Sequence, residues 1–266
     1  KPERRYDMDN MLIGARHGRL NIDFEKIKRK LLALDKADKS NVIAFGDSVM
    51  KGVLLDENTG RYVTHKGRFD AIEERFHIAI ENNARFGFTV ERGFEQIKKT
   101  IREENHPDIV LLEYGGNDCN FDWKDVSEHP DKEHFPVISP EKFEKTYNEL
   151  LDYVISCGSV PVIILPPPID SEKFLSWVCR NGLSRENIVS WLGEPSLIYR
   201  WQEHYSRICE RIARQRELAI IDLRTAFIIS HEYSSLICAD GIHPTEKGHK
   251  IIDNELYRFA DGFAKA

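Results

Sequence analysis

Short apolar runs recur at residues 42–45, 77–80, 108–114, 160–165 and 218–223, mostly closed by Gly, Pro, Asn or Asp. Continuous runs of this length, rich in β-branched residues and Leu, suit strands buried on both faces. Between them, apolar residues return at helical spacing. Residues 90–104 carry Phe94, Ile97 and Ile101 on one face. Residues 143–155 carry Phe143, Tyr147, Leu150, Leu151 and Val154, and residues 198–214 carry Trp201, Tyr205, Ile208 and Ile212. Strands alternating with helices of this length pair in parallel through right-handed crossovers. The pattern therefore predicts a three-layer α/β fold around roughly five parallel strands.

Two connections exceed the few residues usual between such elements. Residues 119–139 are rich in Asp, His, Pro and Lys. Residues 166–195 open with Pro166, Pro167 and Pro168 and then read as short helices holding Trp177 and Trp191. Both follow strands at the same predicted end of the sheet, where long loops either shape a substrate pocket or decorate the surface. Trp177, Trp191 and Trp201 read as core aromatics or as pocket walls. The chain contains no internal repeat or low-complexity tract.

Composition narrows the function classes. A chain of 266 residues, 41% apolar and 31% charged, is that of one globular α/β domain with insertions. Residues 41–266 form its body, and residues 1–40 read as an arm and a helix that belong to it. The net charge of -6 argues against nonspecific nucleic-acid binding. The one basic run, residues 26–30, accompanies an apolar stripe of Phe24, Ile27, Leu31 and Leu34, as on a solvated helix face. Residues 1–20 read equally as a disordered tail, a self-packed arm or an arm on a neighbouring subunit. Five cysteines (119, 157, 179, 209 and 238) form no Cys-x-x-Cys pair and no zinc-site spacing, and their odd number speaks for free thiols in a reducing cytoplasm. No run approaches the ~18 apolar residues of a membrane span. The first residue is Lys1 rather than Met, which leaves removal of a leader, and hence secretion, open.

In an open parallel sheet, ligands bind at the carboxyl ends of the strands. Three polar stretches fall there: Gly46-Asp47-Ser48 after the first run, Gly115-Gly116-Asn117-Asp118 after the third, and Asp240-Gly241-Ile242-His243-Pro244 beyond the fifth. Each alone is ordinary turn chemistry. Together they offer a hydroxyl, an amide donor and a carboxylate three residues before an imidazole. Such a carboxylate reaches back to Nδ1 and leaves Nε2 facing outward as a base, and a serine acting as a nucleophile needs such a base beside it.

These blocks, with Gly87 in the stretch 82–89, resemble the four ordered blocks of the SGNH hydrolases, also called the GDSL esterase/lipase family. They span residues 46–244. The resemblance implies a flavodoxin-like α/β/α sandwich with Ser48 as nucleophile, His243 as general base and Asp240 as its orienting carboxylate. It also implies an oxyanion hole made of the Ser48 and Gly87 backbone N–H groups and the Asn117 side chain, with no cofactor and no metal. Asp47 and Asp118 then act structurally. Val49 stands where many members have Leu, and the second block lacks the extra glycine often seen before Gly87.

The implied activity is hydrolysis of a carboxylic ester through an acyl-enzyme. The expected substrate is a small soluble ester, an O-acetylated carbohydrate being one form, with no membrane insertion. Lysophospholipase, thioesterase and acyltransferase activities fit the same site. Two readings from other classes stand beside it. One is a magnesium-dependent phosphatase using Asp47, which lacks the second aspartate because Val49 occupies that position; the other is a noncatalytic binding module.

Overall fold

The computed structural model of the protein describes residues 42–265. The arm and helix expected over residues 1–40, with the basic run 26–30, lie outside the described residues. The central sheet contains β1 (Val42–Gly46), β4 (Ile80–Asn82), β5 (Ile109–Glu113), β6 (Val160–Leu165) and β7 (Ala219–Asp222) in the spatial order β4-β1-β5-β6-β7, all parallel. Among these five strands the order is 2-1-3-4-5, the flavodoxin-like arrangement. The chain leaves β1 toward one side of the sheet and later returns to the other. The point where strand order reverses therefore lies between the ends of β1 and β5.

Strand residues alternate between two apolar layers. Val42, Ala44, Ile109, Leu111, Val162, Ile164 and Ile221 face a layer that includes Ile72 of α2 (Asp70–Phe76), Phe227 of α9 (Leu223–Ile228) and Ile252 and Leu256 of α10 (Glu246–Lys265). Phe45, Val110, Leu112, Ile163 and Leu165 face α3 (Val90–Thr100), α5 (Pro140–Ser156) and α8 (Leu197–Gln215), whose Ile97, Tyr147, Leu150, Tyr205 and Ile208 are the periodic residues of the sequence. A strand needs both faces apolar to sit between two helix layers, which is why its alternation is hidden in a continuous run.

Local chemistry sets the helix ends. Ser139 caps α5 by accepting from the Lys142 amide, with Pro140 in its first turn, and Asp222 caps α9 by accepting from the Thr225 amide at 2.9 Å. The second strand differs from expectation. It spans Ile80–Asn82 rather than 77–80, because α2 continues to Phe76 and His77 closes it in the left-handed region at φ 53°. Helix α3 stops at Thr100 rather than 104, Ile101 being extended. A hairpin of β2 (Val53–Asp56) and β3 (Arg61–Thr64) also stands apart from the main sheet, unannounced by the periodicity.

That hairpin is tied to α10 by a buried polar network. His249 donates from Nε2 to the Val53 carbonyl (2.9 Å), while its Nδ1 accepts from Arg68 (2.7 Å). Arg68 also pairs with Asp253 at 2.9 Å. Burial, then the Arg68 charge, pushes the His249 imidazole down to about 3, so the ring stays neutral and its two nitrogens can split these roles.

Gly93 lies inside α3, where alanine ordinarily favours a helix by about 1 kcal/mol. A Cβ there would sit 2.2 Å from the buried Tyr114 ring. Overpacking of this kind costs about 1–3 kcal/mol and outweighs the propensity gain. Gly93→Ala is expected to lower the urea unfolding midpoint, with the slope of the transition unchanged.

Candidate active site

Gly46 ends β1 beside β5. A Cβ on it would lie 2.8 Å from the Glu113 carbonyl and from the Met50 Cβ, so only glycine lets the chain turn here. Asp47 then caps α1 (Ser48–Lys51), its Oδ1 accepting from the Val49 amide at 2.8 Å. This turn stands Ser48 at the head of a one-turn helix closed by Gly52 in the left-handed conformation (φ 88°). The structural role expected of Asp47 is thus visible as a hydrogen bond.

Ser48 Oγ lies 2.8 Å from His243 Nε2, and His243 Nδ1 lies 2.6 Å from Asp240 Oδ2. The other Asp240 oxygen accepts from the amides of Ile242 and His243, each at 3.0 Å. Ser48, His243 and Asp240 are 5%, 4% and 0% exposed. Burial opposes ionisation of Asp240, but the hydrogen bond and charge of His243 and the two amides together hold its carboxyl below the ordinary carboxylate value. An ionised Asp240 fixes the proton of His243 on Nδ1 and leaves Nε2 free to accept from Ser48.

The loop carrying this pair is clamped. Gly241 adopts φ 75°, and a Cβ there would lie 2.2 Å from the Phe174 amide nitrogen of α6 (Ser171–Cys179). Its carbonyl accepts from the Asp170 amide at 2.9 Å, and the Cys238 amide donates to the His243 carbonyl at 2.8 Å.

Asn117 bridges two turns. Its Nδ2 donates to Asp47 Oδ2 at 3.1 Å and to the Phe88 carbonyl at 3.0 Å. Both amide hydrogens are engaged, so donation to a substrate oxyanion requires exchanging one of these bonds. Gly87 occupies the turn that Asn117 holds, at φ 72°, with open space where a Cβ would be. Asp118 accepts from the Val90 and Gly115 amides at 2.9 and 3.1 Å, while burial pushes its carboxyl up to about 7. Ser48, His243, Asp240 and Asn117 thus meet at the strand-order reversal, with Gly87 one turn away.

Several neighbours went unread in the sequence. Tyr62 of the hairpin and Phe86 flank the His243 ring, with centroids 5.0 and 5.7 Å away. Burial, then the Asp240 charge, pushes the Tyr62 phenol up to about 12, so it stays neutral beside the pair. A cavity of about 700 Å³ opens from Ser48. Both long insertions build its walls: Phe121 and Trp123 come from the first, Phe174 and Trp191 from the second, with Trp201 on α8. Their rings touch edge to face or tilted, Phe121 lying 5.0 Å from Trp191 and 5.8 Å from Trp201. Trp177 packs elsewhere, against Leu54, Leu55 and Cys238. The five cysteines form no disulfide, and no helix among the described residues is long and apolar enough to cross a membrane.

A hydrolase of the α/β/α class is what this fold and this cluster of groups define. The model of the GDSL-like lipase/acylhydrolase family matches residues 44–251, and the chain belongs to that family. It is 24% identical over 178 residues to the GDSL esterase/lipase WDL1 of Oryza sativa subsp. japonica, a match covering 65% of this chain and 61% of the relative. It is 22% identical over 179 residues to the GDSL esterase/lipase CPRD49 of Arabidopsis thaliana, covering 65% and 62%. The match thus spans about three fifths of the length of these curated relatives. The lipase/acylhydrolase from Enterococcus faecalis superposes with a TM-score of 0.57 at 20% identity, over 84% of this chain and 96% of that one. A variant of Axe2, an acetyl xylan esterase from Geobacillus stearothermophilus, superposes with a TM-score of 0.57 at 18% identity, over 84% and 95%. These two likenesses place the fold.

Asp240→Asn keeps the shape of the pair but frees His243 to take the wrong tautomer. Its kcat for an ester substrate is expected to fall on the order of 10³- to 10⁴-fold, with KM changed far less; steady-state kinetics on folded protein checks this.

Proposed function

We propose that the protein is a serine carboxylesterase whose nucleophile is Ser48. The observation that carries this reading is the unbroken chain Ser48 Oγ, His243 Nε2, His243 Nδ1, Asp240 Oδ2, with links of 2.8 and 2.6 Å. His243 takes the Ser48 proton as the hydroxyl attacks the ester carbonyl, and the Asp240 carboxylate stabilises the imidazolium that forms. The carbonyl oxygen becomes an oxyanion beside the Ser48 and Gly87 amides and Asn117. His243 then protonates the departing alcohol, leaving an acyl group on Ser48. Water repeats the sequence and releases the acid. Asp47, as helix cap and partner of Asn117, has both carboxylate oxygens engaged, which weighs against a phosphoryl acceptor at that position.

An aromatic-walled cavity of about 700 Å³ is larger than an acetyl group fills. We therefore favour an ester with one bulky, mainly apolar group seated among Phe121, Trp191 and Trp201. The second reading is the O-acetylated carbohydrate expected from sequence. It is supported by the same aromatic faces, on which a sugar ring can stack, and by a fold neighbour described as an acetyl xylan esterase.

Hydrolysis of a p-nitrophenyl ester series from acetyl to octanoyl separates the two. The favoured reading expects kcat/KM to rise beyond acetyl, and Trp191→Ala to remove most of that rise while sparing the acetyl ester. An acetyl optimum would support the carbohydrate reading. Ser48→Ala is expected to lose on the order of 10⁵- to 10⁶-fold in kcat, and equal rates in wild type and variant would remove Ser48 from the mechanism.

A further inference from the structure

One ionisable side chain in the wall behind Ser48 has no role in the mechanism above. Glu113 is the last residue of β5, paired in register with Gly46, and it is fully enclosed. Its Oε2 lies 3.4 Å from both the Asp47 and Met50 amides, long contacts for a carboxylate, and its Oε1 has no hydrogen-bond partner. Asp118 has amide bonds to both of its oxygens, and Asp240 has two amide bonds and the His243 imidazole. Glu113 is therefore built unlike an anion site. It adjoins Asp47, whose amide is the 3.4 Å neighbour of Oε2 and whose Oδ1 and Oδ2 already accept from Val49 and Asn117.

Two neighbouring enclosed carboxyls do not both ionise cheaply. The one with the better amide bonds keeps the charge, and here that is Asp47. The other must carry a proton, and that proton supplies the donor that Asp47 can still accept.

We propose that Glu113 is a positioning residue that works as a neutral carboxylic acid, donating to Asp47 and thereby fixing the turn that presents Ser48. The inference rests on the reading of Ser48 as nucleophile. Keeping Glu113 neutral also limits the anionic charge behind a reaction that builds an oxyanion on the same turn. Burial, then the Asp47 charge, raises the Glu113 carboxyl well above the ordinary range, in the direction this role requires. Other groups also face it. Arg68 adds positive charge, and Tyr114, Tyr147 and Cys209 lie within its electrostatic reach as hydroxyls and a thiol.

The sign of the pH effect follows. As pH rises through the Glu113 pKa, the proton leaves, the Asp47 bond is lost and a second anion appears, so kcat falls on the alkaline side. Glu113→Gln keeps a donor and cannot ionise. It is expected to hold kcat at neutral pH within about threefold and to move the alkaline limb of the kcat profile upward or abolish it. Glu113→Leu fills the space without a donor and is expected to lower kcat about tenfold or more, with KM little changed.

An alkaline limb in Glu113→Gln that coincides with wild type, or full activity in Glu113→Leu, would overturn the proposal. The wild type alone supplies a further readout. At about pH 8, above the ordinary carboxylate range of about 4 and above the value near 7 of Asp118, its infrared spectrum should keep the carbonyl band of a protonated carboxylic acid; a spectrum without it sinks the idea whatever the variants do. Ser48→Ala, measured in parallel, tests the nucleophile separately: its retained activity would overturn that reading while leaving the infrared result to stand or fall alone.

Discussion

A parallel sheet delivers the carboxyl end of every strand to the same edge, and the rest of this molecule is organised by that constraint. Ser48 and His243 are separated by 195 positions in the chain yet lie 2.8 Å apart. They meet because β1 ends at the reversal point and the segment after β7 returns across the same edge. The sheet supplies only the proximity. The angstrom-level placement comes from short local devices: the Asp47 cap, the Gly46 contact with β5, and the two amides that hold Asp240.

Most of the scaffold was legible in the sequence because burial on both faces leaves a plain signature. The five strands, three of the long helices and the polar stretches at the strand ends follow from runs and periods. The second strand was displaced by a few residues because Ile78 and Ile80 are apolar whether they follow a helix or lead a strand. The left-handed residue that decides between them is His77, with no glycine there to announce the helix end. The hairpin was missed for a related reason. Val53, Leu54 and Leu55 continue the apolar stretch after Ser48, and the turn at residues 57–60 is only one of many polar loops.

Within the site, the residues that could be read were those whose chemistry is declared by type and spacing: Ser48, the Asp240 and His243 pair, and Asn117. Those that could not be read act through neighbours distant in the chain. Glu113 looks like the polar terminus of a strand, and only the fold shows that it is enclosed behind the turn that carries Ser48. Phe121, Trp191 and Trp201 look like core aromatics, and only their convergence on one cavity distinguishes them from Trp177, which is packed under the hairpin.

Gly241 links the two halves of this organisation. Its missing Cβ admits the backbone of α6, the helix that carries Phe174 into the cavity wall, directly against the loop that carries Asp240 and His243. The cavity wall and the loop that carries Asp240 and His243 are therefore one mechanical unit. Phe174 in turn packs with Ile188 and Leu192 of α7 (Arg185–Leu192) and with Ile198 of α8, so the cavity wall continues from that unit as one apolar cluster. Changes that shift the start of α6 therefore carry Asp240 and His243 with them.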